Sequence, residues 1–408
     1  MNCGLLGRKL EHSYSPQIHA YLGDYSYELY EQEPEDIRIF LNNTSINGLN
    51  VTIPYKRDVI PYCSTLTPMA KRLGAVNTIL RQSDGSLLGH NTDYFGFLST
   101  VRKTGLNVLG KKALVLGSGG ASVTAATVLN ELGASVITIS RSGKNNYSNL
   151  RNHADADIIV NATPVGMYPN TGISPVSLDD FPNLEGVIDM IYNPSRTAFL
   201  QSAEKRGIVA ENGLWMLVAQ AKESAEWFTN RQIDDSVIGN IYRDLTRMMQ
   251  NIILIGMPGC GKTTVGKLLS QMTDREFVDA DAYLEQSFGM SIPDIFEKYG
   301  EIQFRKMETQ ILGELGKRSS LIIATGGGCV TRDENYPLLH QNGKLFWLQR
   351  DIEQLPTDGR PLSQLGKLSN MYTIRKPMYK SFSDFIIDNN NDPEETAKAI
   401  IHFFESEA

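Results

Sequence analysis

The sequence is poor in cysteine and lacks long apolar runs. Its 408 residues include four cysteines, and these show neither the paired spacing of a zinc site nor a disulfide framework. A reducing compartment fits such a chain. No apolar stretch reaches the length that a membrane-spanning helix requires, and the N-terminal segment has no signal-peptide pattern. We therefore expect a cytoplasmic protein that makes no membrane contact.

A strong excess of charge of one sign is also lacking. The chain has 39 Lys and Arg against 46 Asp and Glu, which gives a net charge of −7. Such a composition provides no general basic surface for nucleic acid, so we expect small-molecule ligands, with local cations binding the anionic ones. Internal repeats and low-complexity tracts are absent. Nothing in the pattern decides between a monomer and a homodimer.

The length of the chain predicts two or three domains. Short strands and helices are mixed over residues 1–92, whereas strand and helix alternate from Lys112 onward. Such alternation is typical of a parallel sheet covered on both faces. A helical pattern ends at Met249 and a sheet pattern restarts at Ile252, with no Gly/Ser- or Pro-rich spacer between them. A further domain therefore begins near residue 250.

A phosphate-binding loop marks the start of that domain. Residues 256–263 read Gly-Met-Pro-Gly-Cys-Gly-Lys-Thr, directly after the apolar run Asn251–Ile255. Backbone N–H groups of such a loop surround a β-phosphate, Lys262 reaches the β- and γ-phosphates, and the Thr263 hydroxyl ligates magnesium. The second half of the chain is therefore predicted to bind a nucleoside triphosphate.

A different glycine loop, Gly117-Ser118-Gly119-Gly120, lies between a predicted strand over Ala113–Leu116 and a predicted helix over Ala121–Leu132. This order brings a pyrophosphate to a helix N-terminus. Ser122 stands where the usual fingerprint has Gly or Ala. The loop alone is therefore equally compatible with a dinucleotide site and with a tight turn.

The end of the next predicted strand, Ser135–Ile139, favours the dinucleotide site. An NAD site usually has an acidic residue at this offset from the glycine loop, but here the chain has Ser140, Arg141 and Ser142, with Lys144 close by. Arg141 suits a 2′-phosphate, which indicates NADP.

Four further segments carry polar side chains on predicted loops: His12–Pro16, Asn50–Lys56, Gly74–Thr78 and Asn91–Asp93. Each has a purely structural explanation, because Ser15 and Asp93 could cap helices, Lys56 could be a solvated lysine and Asn77 could hold a turn. Taken together and in this order, they resemble the shikimate dehydrogenase family. Further matches follow at Asn161–Met167, Tyr192–Pro194 and Gly213–Ala221, so the resemblance covers about the first 250 residues.

This resemblance implies reversible reduction of the ketone of 3-dehydroshikimate by NADPH, which gives shikimate. Lys56 would donate the proton and polarise the carbonyl, and Asp93 would hydrogen-bond both the lysine and the substrate. The other implied substrate-binding residues are Ser13, Ser15, Thr52, Asn77, Tyr192 and Gln220. The implied NADP-binding residues are Gly117, Ser118, Gly119, Gly120, Ala121, Ser140, Arg141, Ser142, Lys144, Thr163, Met190 and Gly213. Ser140 departs from the family, which often has Asn there.

The second half contains polar groups at comparable places. Asp279 and Asp281 follow a predicted strand end, and Glu301 and Arg305 lie on a helical stretch, where they could form an i,i+4 surface pair. Gly326–Gly328 follow the apolar strand Leu321–Ala324, where backbone is expected to approach a ligand closely. With the phosphate loop, and with Arg360–Leu362 and Arg375–Tyr379, these segments resemble the shikimate kinase family from about residue 251 onward.

The second resemblance implies transfer of the ATP γ-phosphoryl group to the 3-hydroxyl of shikimate. Asp281 would orient or deprotonate that hydroxyl, while Arg305, Arg375 and the backbone of Gly327 would bind the substrate. Asp279 would hold magnesium through water alongside Thr263. The implied ATP-binding residues are Gly259, Cys260, Gly261, Lys262, Thr263, Thr264 and Arg360, of which Lys262 and Arg360 would also be catalytic. The lid segment Gln349–Leu362 is short and lacks the family's additional arginine upstream of Arg360.

The sequence thus predicts an α/β chain in three parts. Residues 1–93 and 213–249 would form an α/β substrate-binding domain, residues 94–212 a Rossmann-like NADP-binding domain, and residues 250–408 a P-loop domain with a parallel sheet, similar to nucleoside monophosphate kinases. The first reaction would make the substrate of the second. Two alternatives are a regulatory, shikimate-sensing protein built from inactive copies of these enzymes, and a quinate/shikimate dehydrogenase that uses NAD.

Overall fold

The computed structural model describes residues 1–10, 13–355 and 365–406, and for residues 365–367 it describes the backbone only. The chain divides into two units. Unit 1 contains residues 1–166, 173–192 and 202–242, and unit 2 contains residues 167–172, 193–201 and 243–408. Nothing in the sequence pattern predicts that residues 167–172 and 193–201 belong to unit 2.

Unit 1 begins with a six-stranded sheet. Its strands are β1 (Asn2–Gly7), β2 (Ser26–Glu31), β3 (Gly48–Val51), β4 (Thr65–Leu66), β5 (Thr78–Arg81) and β6 (Leu87–His90). Their order is β2-β1-β3-β5-β6-β4, and β5 runs antiparallel to both of its neighbours. The helices of this part are α1 (Ser15–Leu22), α2 (Ile37–Leu41), α3 (Pro68–Leu73) and α4 (Asp93–Thr104).

Two helix starts differ from the structural explanations considered above. Ser15 is the first residue of α1, Tyr14 takes the N-cap position, and no side chain caps this helix. Asp93 is the first residue of α4 rather than its cap, because Thr92 precedes it there. Both polar side chains are therefore available for other partners.

The second sheet of unit 1 is entirely parallel and has the order β11-β10-β9-β7-β8. Its strands are β7 (Lys112–Leu116), β8 (Ser135–Ile139), β9 (Ile158–Asn161), β10 (Gly186–Asp189) and β11 (Val209–Glu211). The helices of this part are α5 (Gly120–Glu131) and α7 (Leu214–Thr229), whereas α6 (Ala198–Lys205) and α8 (Ser236–Met249) each contain residues of both units. Buried residues of β7 and α5, such as Val115 and Leu129, pack in one core. This core fixes the glycine loop between them.

Unit 2 contains a parallel five-stranded sheet with the order β13-β14-β12-β15-β16. Its strands are β12 (Asn251–Ile255), β13 (Glu276–Asp279), β14 (Leu321–Ala324), β15 (Gly343–Gln349) and β16 (Phe385–Asp388). Its helices are α9 (Lys262–Thr273), α10 (Ala280–Phe288), α11 (Ile292–Gly316), α12 (Asn335–His340), α13 (Leu365–Phe382) and α14 (Pro393–Ser406). All of β12 is buried at the centre of the sheet, so the loop that follows it emerges at the carboxyl edge, where ligands of such sheets bind.

Helix α11 is interrupted inside the motif that was predicted to lie on it. Gly300 has φ 76° and ψ 172°, which is not helical. Among the described residues, no helix combines the length and apolar character that a membrane span needs.

Candidate active sites

A cavity of about 610 Å³ in unit 1, the first cavity, brings the predicted substrate-binding residues together. Its lining includes all of them: Ser13, Ser15, Thr52, Lys56, Asn77, Asp93, Tyr192 and Gln220. Three predicted NADP-binding residues, Ala121, Met190 and Gly213, line it as well. The first sheet, the glycine-loop helix and α7 thus contribute to one space.

Lys56 and Asp93 form an ion pair in this cavity. The Nζ atom of Lys56 donates to Oδ2 of Asp93 over 2.6 Å, and the two side chains are 28% and 12% exposed. The other carboxylate oxygen, Oδ1, accepts from Nδ2 of Asn77 over 2.9 Å. Asp93 is therefore fixed on both sides, and it holds an ammonium group where a ligand can reach it.

Asn77 is buried and does more than hold a turn. Its Oδ1 accepts the backbone N–H of Thr92 over 2.7 Å. The hydroxyl of Thr92 lies 3.0 Å from the hydroxyl of Ser224, which also accepts from Nδ2 of Asn50 over 2.7 Å. These bonds tie the strand ends that carry Asn50 and Asn77 to helix α7.

Ser224 is a supporting residue that sequence reasoning missed. It lies one helical turn after Gln220, so the two side chains share a face of α7. That spacing was the available signal, but a buried serine on an apolar helix resembles many others that only bond to their own backbone, as Ser224 also does to the Gln220 carbonyl over 2.9 Å.

The glycine loop of unit 1 has the geometry that a phosphate needs. Gly117 has φ +115°, and a Cβ there would lie 2.9 Å from the Ala162 carbonyl oxygen, so only glycine fits. Around Gly119 and Gly120, by contrast, a Cβ would meet no atom within 4 Å. Helix α5 begins at Gly120. The loop therefore leaves space in front of a helix N-terminus, which fits a pyrophosphate.

Ser122 explains the departure from the usual fingerprint. Its Oγ donates to the Gly117 carbonyl over 2.8 Å, and the residue is buried. The hydroxyl thus closes the loop from the first turn of α5. Where the usual fingerprint has Gly or Ala packed closely against the loop, this chain has a serine that forms a hydrogen bond to it.

The residues predicted to bind the 2′-phosphate of NADP follow directly after β8. Arg141, Ser142 and Lys144 are exposed, and Ser140 is half-buried. Arg141 forms no ion pair with any residue that the structure describes. Thr163 follows β9 and donates through its hydroxyl to Oδ1 of Asn161 over 2.7 Å. The described structure thus leaves a free cation at the predicted phosphate position.

A second cavity of about 490 Å³, the loop cavity, surrounds the phosphate loop of unit 2. Its lining includes the predicted residues Gly259, Gly261, Lys262, Thr263, Thr264, Asp279, Asp281 and Gly327. The Nζ atom of Lys262 donates to the carbonyls of Gly256 and Met257 over 3.0 and 3.1 Å. Helix α9 begins at Lys262, so its N–H groups and this lysine make an anion site.

Cys260 does not line the loop cavity. Its side chain is fully buried, and its carbonyl accepts from Nδ2 of Asn389 over 2.5 Å. Its contribution to the loop is therefore packing and backbone geometry.

The two side chains predicted to hold magnesium meet at the edge of the loop cavity. The hydroxyl of Thr263 donates to Oδ2 of Asp279 over 2.8 Å, and Oδ1 of Asp279 caps α10 by accepting from the N–H of Asp281 over 3.1 Å. A hydroxyl beside a carboxylate suits a hard cation that arrives with a nucleotide. No group of three or more His, Cys, Asp and Glu among the described residues could hold a metal by itself.

A third cavity of about 180 Å³, the arginine cavity, adjoins the loop cavity. It is lined by Arg305 and Arg375, and Pro258, Asp281 and Gly327 line both cavities. NH1 of Arg375 donates to the Gly327 carbonyl over 3.0 Å. Asp281 therefore lies between a site with two guanidinium groups and the phosphate loop.

Glu308 is a second residue that sequence reasoning missed. Its Oε2 accepts from NH1 of Arg305 over 2.8 Å, while its Oε1 has no partner among the described residues. The i,i+4 pair of Arg305 with Glu301, which was the alternative structural explanation, is also present, at 3.4 Å. Glu308 is 3% exposed, so it is the stronger partner. The i,i+3 spacing from Arg305 was the signal.

Burial and the carboxylates of Glu308 and Asp279 raise the pKa of Asp281 to about 6. Desolvation disfavours the charged form, and two like charges add to it. A carboxylate with this pKa can accept a proton near neutral pH better than an ordinary aspartate. Arg360, the predicted lid residue, and His12 of the first motif lie outside the described residues.

Two family models match the chain. The shikimate dehydrogenase substrate binding domain matches residues 5–79, and shikimate kinase matches residues 258–405. A shikimate dehydrogenase (NADP(+)) of Clostridium beijerinckii is 36% identical over 259 residues, which cover 59% of this chain and 96% of the relative.

Solved structures agree with these matches. Shikimate dehydrogenase 1 from Peptoclostridium difficile is 42% identical, with a TM-score of 0.55 over 60% of this chain and 97% of that one. Shikimate 5-dehydrogenase from Thermus thermophilus, in complex with NADP(H) and shikimate, is 31% identical, with a TM-score of 0.55 over 60% of this chain and 99% of that one. The chain therefore belongs to the shikimate dehydrogenase family and carries a shikimate kinase domain in its second half.

Proposed function

We propose that this chain is a bifunctional enzyme that reduces 3-dehydroshikimate to shikimate with NADPH and then phosphorylates shikimate with ATP. The observation that carries the proposal is the Lys56–Asp93 pair, 2.6 Å apart, in a cavity shared with the glycine-loop helix. Asp281 supports the second reaction, because it lies between the phosphate loop and two arginines.

In the first reaction, bound NADPH supplies a hydride to the ketone carbon. The ketone oxygen gains negative charge as the hydride arrives, and the Lys56 ammonium stabilises this charge and donates a proton to it. Asp93 keeps the ammonium in place, and Asn77 keeps Asp93 in place. Ser13, Ser15, Thr52, Tyr192 and Gln220 would bind the hydroxyl and carboxylate groups of the substrate, since all of them line the same cavity.

In the second reaction, bound Mg-ATP supplies the γ-phosphoryl group. Asp281 orients the attacking hydroxyl and accepts its proton, while Arg305 and Arg375 bind the substrate carboxylate. Lys262 and the N–H groups of α9 would bind the phosphates, and Thr263, with Asp279 acting through water, would hold the magnesium ion. Arg360 would neutralise charge on the transferred group.

We also propose that the predicted domain boundaries hold, with a substrate-binding domain in residues 1–93 and 213–249, an NADP-binding domain in residues 94–212 and a kinase domain in residues 250–408. The four cysteines are free, which supports a reducing, cytoplasmic location. The matched families give no support to a regulatory protein or to an NAD-dependent quinate enzyme.

A coupled assay tests the combined function. Purified chain with 3-dehydroshikimate, NADPH and Mg-ATP is expected to form shikimate 3-phosphate, and omission of ATP should stop the reaction at shikimate. Mass spectrometry of the products distinguishes the two steps. Absence of the phosphorylated product from the complete mixture would contradict the combined function.

Arg141→Ala is expected to raise the KM for NADPH by about tenfold or more, since charged hydrogen bonds to a phosphate are lost. The KM for NADH should change little, because NADH has no 2′-phosphate. Steady-state rates with each cofactor measure the difference. Arg151→Ala, which removes another exposed arginine of unit 1, is the matched control, and an equal effect of both changes would refute the role of Arg141.

A further inference from the structure

We propose that Lys9 is the cation that draws the substrate carboxylate into the first cavity and holds it there. This inference rests on the proposed dehydrogenase function. Lys9 belongs to no motif on which that function was based, but it lines the cavity together with Ser13, Ser15 and Lys56.

The local structure separates Lys9 from its two neighbours. Arg8 donates through Nε and NH2 to Oε2 of Glu33, at 2.9 and 2.8 Å. Leu10 is buried, and its backbone N–H donates to Oε1 of Glu31 over 2.6 Å. Both neighbours are thus anchored by the segment at the end of β2, while Lys9 between them lines the cavity.

Among the charged residues that line the first cavity, Lys9 is the cation that no carboxylate of the described lining balances. The described lining residues include two lysines, Lys9 and Lys56, and one carboxylate, Asp93. Since Lys56 and Asp93 pair at 2.6 Å, their charges largely cancel for a ligand group elsewhere in the cavity. Lys9 forms no ion pair with a described residue. Without it, the described lining would be close to neutral.

The negative charge of the substrate is remote from the ketone that reacts. In 3-dehydroshikimate the carboxylate and the ketone are on different ring carbons, so Lys56 cannot serve both. The hydroxyls of Ser13 and Ser15 can donate to the carboxylate, but they bring no net charge. Opposite charges in a cleft with low-dielectric walls attract a ligand over several ångströms, and Lys9 supplies that attraction.

Lys9→Met tests the inference in the full chain. The KM for shikimate is expected to rise about fivefold, a modest factor because the lysine is exposed. The kcat and the KM for NADP should stay within about twofold. Lys9→Arg should keep the wild-type KM, whereas Lys9→Glu should raise it further. The wild-type KM should increase with salt more steeply than that of Lys9→Met.

Three controls separate the possible outcomes. Arg8→Met removes the adjacent, paired cation and should leave the KM unchanged. The methyl ester of shikimate, which lacks the negative charge, should bind wild type and Lys9→Met equally. The KM for NADP of each variant reports on the folding of unit 1, and its kinase activity reports on that of unit 2. An unchanged shikimate KM in Lys9→Met, with kinase activity intact, would overturn the inference alone. Failure of the wild-type chain to oxidise shikimate would instead refute the proposed function on which it rests.

Discussion

Lys56→Ala is expected to lower kcat for shikimate oxidation by about a thousandfold, because it removes both the proton donor and the positive charge at the ketone oxygen. The Asp93 side chain is only 12% exposed, but it keeps its hydrogen bond from Asn77, and removal of the lysine side chain opens it to the cavity, so the variant should fold. Absorbance of NADPH, followed at saturating substrate, measures the loss. Phosphorylation of shikimate by the same preparation should stay near the wild-type rate.

Lys112→Ala is the matched control for this change. Lys112 is a half-buried lysine of unit 1 that pairs with Asp155, at the opposite end of β7 from the glycine loop. Its removal should leave both activities near wild type. Substantial dehydrogenase activity in Lys56→Ala would exclude the assigned role, and a parallel loss of kinase activity would show that the change had disturbed the whole chain.

Asp281→Asn is expected to lower kcat of the kinase by about a hundredfold to ten-thousandfold, the range that general base catalysis contributes. The amide has nearly the same shape as the carboxylate, and it relieves the repulsion from Glu308 and Asp279 that raises the pKa of Asp281. Loss of activity would therefore not reflect loss of the fold. Coupled detection of ADP gives the rate, and dehydrogenase activity of the same sample should be unchanged.

The pH profile gives an independent test of Asp281. Its pKa is raised to about 6, so the carboxylate is ionised above that pH and becomes protonated as the pH falls through it. The wild-type kinase rate should fall over the same range, and this acid limb should be missing from the residual activity of Asp281→Asn. Asp333→Asn, at an exposed position of unit 2, should keep the wild-type profile. An acid limb that persists in Asp281→Asn would assign the titration to another group.

The bounds of strands and helices could be predicted closely where the residue types strongly favour one conformation. The strand before each glycine loop and the helix after the Gly117–Gly120 loop appear within one residue of the prediction. Apolar runs favour buried strands, and glycine allows the turn with positive φ that joins strand to helix. The starts of α1 and α4 differ from the structural alternatives, in which Ser15 and Asp93 would be caps, because Tyr14 and Thr92 occupy the N-cap positions.

The sequence by itself determined which groups are present and which short segments carry them: two different glycine loops, the segments that hold Lys56 and Asp93, and the segments that hold Asp281 and Arg305. These follow from residue type and near-neighbour spacing, which act over a few residues of chain. Only the tertiary structure decided that Asn50 and Thr92 are bound to Ser224. It also decided that Glu308 rather than Glu301 is the buried partner of Arg305, and that Lys9 shares a cavity with Lys56. Such contacts depend on how strands and helices pack over long separations in sequence, where burial and the pairing of polar groups are set by the whole fold.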